Sequence, residues 1–66
     1  MKLDMRIARL MAHMTQADVA KKMGVSSQMV HYWETGRCRI KEDRLAEYCA
    51  IIGRNPEDIF VPKMLY

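Results

Sequence analysis

At 66 residues and 7.7 kDa the chain has room for one domain, residues 1–66, whose core must use nearly every apolar residue it owns. Half of its residues are hydrophobic and 29% are charged, with no Gly/Ser tract, Pro-rich stretch, repeat or charge block, which excludes the low-complexity and disordered classes. Eleven Lys and Arg against eight Asp and Glu give a net charge of +3 and a pI near 9.1, a balance that fits a polyanionic partner without requiring one.

The first helix is expected over residues 3–12, with His13 in the following turn, where a left-handed residue is needed. Leu3, Ile7, Leu10 and Met11 crowd one side of it while Ala8 and Ala12 stand elsewhere, so the helix is apolar nearly all round. Core burial is the preferred expectation for that side; the alternative is an exposed strip of Leu3, Ile7 and Met11 for a second protomer or partner.

Thr15 followed three residues later by Asp18 is a capping box, which starts helix two at Gln16. Gly24 ends that helix, and Ser26 caps the next after only Val25. Two short helices joined by so tight a turn, over about residues 15–35, have the order of a helix-turn-helix.

At about 100° per residue, Met29, Val30 and Trp33 gather on one side of helix three, about residues 27–35, and Ser27, Gln28, His31, Tyr32 and Thr35 on the other. An ordinary solvated face would more usually carry Lys and Glu. This one has no formal charge and consists of groups that both give and accept hydrogen bonds, which suits base edges in a major groove, where Gln pairs bidentately with adenine. It lacks the Arg or Lys of the commonest guanine contact, so direct readout should lean on Gln28, with His31 and Tyr32 adding contacts. Gly36 then ends the helix, and Arg37, Arg39, Lys41 and Arg44 follow as candidate phosphate-binding cations.

Helix four is expected over Glu42–Ile52, with Leu45, Tyr48, Cys49 and Ile52 at core spacing and Gly53 at its end. Asn55 as cap and Pro56 at the first helical position open a fifth, short helix, after which Ile59 and Phe60 should close the core. The expected fold is thus all-α, a compact domain of five helices, with an apolar tail over residues 61–66. Cys38, Cys49, His13 and His31 reproduce no ligand spacing, and no phosphate loop, carboxylate pair or Ser/His/Asp arrangement is present, so neither a metal, a cofactor nor catalysis is expected. The apolar runs at 49–52 and 59–61 are too short to cross a bilayer, and a secretory apolar region is missing from the start; no membrane association and a cytoplasmic location are expected.

From about residue 5 to residue 60 the chain resembles the Cro and phage-repressor type of helix-turn-helix domain, the XRE family, with a lambda-repressor-like fold. The resemblance rests on Thr15-Gln16, Ala20, Gly24, Val30, Trp33, Glu34-Thr35-Gly36, Gly53 and Pro56-Glu57-Asp58-Ile59-Phe60. It implies base-edge contacts by residues matching Ser27, Gln28 and Tyr32, to which the residue face adds His31. It also implies phosphate contacts by those matching Gln16, Thr35 and Arg37; Ser26, Arg39 and Lys41 are placed with them. A pairing of Arg9 with Glu34 follows from the same resemblance.

The function expected on this basis is a small transcriptional repressor of phage or mobile-element type that binds palindromic double-stranded DNA as a homodimer, its helices entering successive major grooves. Phe60, Val61, Met64, Leu65 and Tyr66 are candidate dimer contacts, with the helix-one strip as the other surface. The competing expectation is an antitoxin or adaptor that uses the same fold to hold another protein.

Overall fold

The computed structural model describes residues 2–62, so Met64, Leu65 and Tyr66 of the expected dimer contacts lie outside the described residues. Four α-helices are present: α1 (Met5–Met11), α2 (Gln16–Met23), α3 (Ser27–Thr35) and α4 (Glu42–Ile52). Two short strands, β1 (Leu3–Asp4) and β2 (Ile59–Phe60), pair in parallel, with Leu3 beside Ile59 and Asp4 beside Phe60.

Two expectations at the chain ends are thereby corrected. Helix one starts at Met5 rather than residue 3, because Asp4 caps it: its backbone is extended, and its Oδ1 accepts from the Arg6 N–H at 2.7 Å and the Ile7 N–H at 3.4 Å. The fifth helix is a single 3-10 turn at Pro56–Asp58, closed by the Asp58 N–H on the Asn55 carbonyl at 2.9 Å. Asn55 holds the capping position without a side-chain hydrogen bond, and Ile59 (φ −110°, ψ 130°) is already extended, which carries the chain into β2. Among the described residues the fold is therefore mostly helical, with four α-helices and a sheet of two two-residue strands instead of five helices.

Elsewhere the local signals hold. Thr15 Oγ1 accepts from the Asp18 N–H at 3.0 Å while Asp18 Oδ2 accepts from the Thr15 N–H at 2.9 Å. His13 is left-handed at φ 59°. Met5, Ala8, Val19, Ala20, Met23, Val30, Trp33, Ile40, Tyr48, Cys49, Ile52 and Ile59 form the core. Ala8 is fully buried, so α1 turns its smallest side chain inward and packs closely. Met5 and Arg9 are buried beside it, and Ile7, Leu10 and Met11 face out, 49%, 47% and 54% exposed, against the core burial expected for that side. Leu3 is half-buried against the core. Phe60, expected inside, is 55% exposed because strand alternation places Ile59 inward and its neighbour outward.

One buried carboxylate joins all four helices. Glu34 Oε2 accepts from Arg9 Nε at 2.7 Å and Oε1 from Arg9 Nη2 at 3.0 Å, a bidentate pair. Gln16 Nε2 donates to Oε1 at 3.1 Å, and the Tyr48 hydroxyl donates to Oε2 at 2.6 Å. The remaining Arg9 nitrogen, Nη1, donates to the Met14 carbonyl at 2.9 Å and so ties down the α1–α2 turn. Burial pushes the Glu34 carboxyl up, but the hydrogen bonds from Arg9, Tyr48 and Gln16 outweigh it and hold the group below the ordinary carboxylate range. Burial, together with the Glu34 carboxylate, drives the Tyr48 phenol in the opposite direction, far above its usual value.

Removing one member of a buried ion pair costs about 3–5 kcal/mol, whereas a domain of this length has about 3–10 kcal/mol in total. Glu34→Ala is expected to abolish or nearly abolish cooperative thermal unfolding, while Glu47→Ala, whose carboxylate meets Arg44 at the surface at 3.3 Å, should shift Tm by only a few degrees. Equal melting temperatures would refute this. Because the folded state lowers the Glu34 value, its contribution is complete above the unfolded value of about 4.3 and disappears as pH falls through the folded one. Melts of wild type and Glu34→Gln against pH should accordingly differ most above about pH 5 and converge on acidification.

Candidate nucleic-acid interface

The joint between α2 and α3 depends on Gly24, at φ 70° and ψ 32°. A Cβ there would meet nothing within 4 Å, so the need for glycine is purely conformational. Ser26 Oγ then accepts from the Met29 N–H at 3.1 Å and starts α3, leaving the hydroxyl proton of Ser26 to donate outward. Val30, Trp33 and Glu34 form the buried side of α3, and Met29 is half-buried. Ser27, Gln28, His31 and Thr35 are exposed and Tyr32 half-buried, so the polar face expected of this helix is assembled on its outer side.

That face is internally hydrogen-bonded. Gln28 Nε2 donates to the Tyr32 Oη at 2.8 Å, one helical turn along. The Arg37 guanidinium carbon lies 5.3 Å from the centroid of the Tyr32 ring, a cation–π contact. Thr35 donates its hydroxyl to the His31 carbonyl at 3.0 Å, so a phosphate contact through that proton requires the hydroxyl to rotate.

Gln16 is turned inward. Its Nε2 donates to the Glu34 carboxylate, which can only accept, so the amide orientation is set: Nε2 and not Oε1 faces Glu34. The same nitrogen lies 3.4 Å from His31 Nδ1. Being a donor there, it selects the His31 tautomer with an unprotonated Nδ1 and the proton on Nε2. What Gln16 leaves for a phosphate is its backbone N–H in the first turn of α2, where donors have no intrahelical partner.

The cations after α3 alternate with buried side chains. Ile40 is 5% exposed and Cys38 half-buried, between exposed Arg37, Arg39 and Lys41. The loop is thereby pinned by its apolar residues and turns its charges outward. Arg44 departs from the expected cationic group: its Nη1 donates to the Met23 carbonyl at 3.2 Å and to Glu47, linking α4 to the end of α2. Sequence reasoning missed Ile40, although the alternation in residues 37–41 was there to be read, and missed Tyr48 as a Glu34 partner, although a core tyrosine needs a place for its hydroxyl. Cys49 is buried, which raises its thiol, and Cys38 Sγ lies 3.9 Å from the Arg39 carbonyl. No helix among the described residues is long and apolar enough to cross a membrane.

A family model described as helix-turn-helix matches residues 5–59, from the first residue of α1 to the first of β2. No curated protein and no solved structure matches the chain.

The coupling of Glu34 through Gln16 to His31 is open to direct measurement. Long-range nitrogen–proton NMR correlations of the neutral His31 ring should show the Nε2–H tautomer in the wild type and a more mixed population in Gln16→Ala. A predominance of Nδ1–H in the wild type would contradict the assignment.

Proposed function

The chain belongs to the Cro/C1-type helix-turn-helix family of DNA-binding regulators, and on that premise we propose that it is a transcriptional repressor that reads a palindromic operator as a homodimer. The observation that carries this reading is the outer side of α3, a charge-free row of hydrogen-bonding groups bordered by the outward-turned cations Arg37, Arg39 and Lys41. In this reading Ser27, Gln28 and His31 meet base edges in the major groove, and Tyr32, expected among them, stands behind Gln28. Ser26, Thr35, Arg37, Arg39, Lys41 and the start of α2 at Gln16 hold the flanking phosphates and supply most of the affinity. Recognition helices of the two protomers would enter successive major grooves about 34 Å apart.

Among the described residues Phe60 is exposed beside Asp4, the residue that caps α1, and Ile7, Leu10 and Met11 are exposed on α1 itself. Val61 packs partly against the core of its own protomer, which leaves Phe60 and the α1 strip as the described apolar surface for association. The same strip supports a second reading, in which the domain holds another protein as an antitoxin or adaptor.

Selection of duplexes from a random library at near-physiological salt distinguishes these readings. An inverted repeat with half-sites one helical turn apart is the outcome expected of the repressor; failure to enrich any sequence, with loss of a bound protein in Ile7→Asp, would transfer the function to the adaptor. On the selected duplex, Arg39→Ala with Lys41→Ala should leave Tm nearly unchanged and reduce the slope of log affinity against log salt by about two per protomer. An unaltered slope would remove both residues from the phosphate contacts.

A further inference from the structure

Within the α3 face, Gln28 and Tyr32 are joined in a way that assigns them unequal roles. A glutamine amide offers one carbonyl oxygen and two N–H donors. Gln28 spends one donor on Tyr32 Oη at 2.8 Å, which leaves Oε1 and the second N–H, the pair that adenine N6 and N7 require. The tyrosine ring is in turn held from its face by Arg37 at 5.3 Å, and it is half-buried where Gln28 is exposed. A free exposed glutamine samples many rotamers and loses that freedom on binding; one whose amide is already anchored loses less.

We propose that Tyr32 is a positioning residue that sets the specificity of Gln28 for adenine, with Arg37 linking the phosphate contacts to the base contact through the tyrosine ring. The inference rests on the proposed DNA reading of α3. Tyr32→Phe is the informative substitution, because it retains the ring and its contact with Arg37 and removes only the oxygen that anchors Gln28. A residue needed merely for folding would change affinity for all sequences together. A positioning residue changes discrimination at one base pair.

The test combines duplex selection with affinities for the selected site and for the same site with its Gln28-dependent base pair replaced, in wild type, Tyr32→Phe, Gln28→Ala and the double variant. Wild type is expected to select adenine at one position of each half-site, and Gln28→Ala to lose that preference. Tyr32→Phe should lose about tenfold of the discrimination there while keeping its helical circular dichroism and its discrimination at the other positions of the site. Discrimination in the double variant should equal that of Gln28→Ala, since Tyr32 acts through Gln28. Full discrimination in Tyr32→Phe, a further lost position in the double variant, or an adenine preference that survives Gln28→Ala overturns the inference and leaves the operator reading standing. A wild type that enriches no sequence overturns both.

Discussion

The Glu34 carboxylate is the point on which the fold turns. Its donors come from α1 (Arg9), α2 (Gln16) and α4 (Tyr48), while Glu34 belongs to α3, so a single buried group fixes the mutual arrangement of all four helices. A buried ion pair by itself is weak evidence of stability, because desolvation offsets the attraction. Here both oxygens are fully satisfied, and among the described residues no buried side-chain polar atom lacks a partner. The Tyr48 hydroxyl oxygen also lies 3.0 Å from the Met5 carbonyl oxygen, and the shorter, charge-assisted bond to Glu34 is the stronger of the two. The net effect is specificity of arrangement more than depth of stability. An apolar cluster as small as this one tolerates several packings of four short helices; a bidentate carboxylate tolerates one.

The same group reaches the surface. Gln16 carries the constraint from Glu34 to His31, and Thr35, the residue after Glu34, hydrogen-bonds back to the His31 carbonyl. The outer face of α3 is thereby tied to the buried carboxylate and its donors. Rigid support matters for recognition by neutral groups, which have no long-range attraction to offset a loss of side-chain freedom.

Much of this was legible in the chain because it is local. The capping box at Thr15 and Asp18, Gly24 and Ser26 in the turn, Gly36 and Gly53 at helix ends, and the bounds of α4 depend on backbone geometry within a few residues. The polar face of α3 follows from helical period alone. The misreadings are non-local or too short for periodicity to register. A two-residue strand has no alternation to detect, and β1 pairs with a segment 56 residues further along, Leu3 beside Ile59. Asp4 was available as a cap, yet Leu3 at helical spacing from Ile7 and Leu10 argued for an earlier start. The inward side of α1 was misread because apolar side chains surround it and size favoured the wrong ones: close packing selected Ala8 and the buried Arg9 over Ile7 and Met11. Arg44 resembled its cationic neighbours in sequence and is set apart by the Met23 carbonyl and the Glu47 carboxylate that face it.

Charge is segregated from information in this domain. Arg37, Arg39 and Lys41 are exposed on a loop held by Cys38 and Ile40, so the path of that loop relative to α3 is set by packing. Fixed hydrogen-bonding groups and adaptable cations make opposite demands: a base edge requires orientation, and a phosphate requires charge within reach. Arg37 is where the two meet, since its guanidinium lies on the ring of Tyr32 and its place in the chain opens the basic loop. Any displacement of that arginine toward a phosphate acts on a ring that already holds the amide of Gln28. In the proposed DNA reading, backbone binding and base reading on this face are coupled through three adjoining side chains, on a helix that is itself held from below by Glu34.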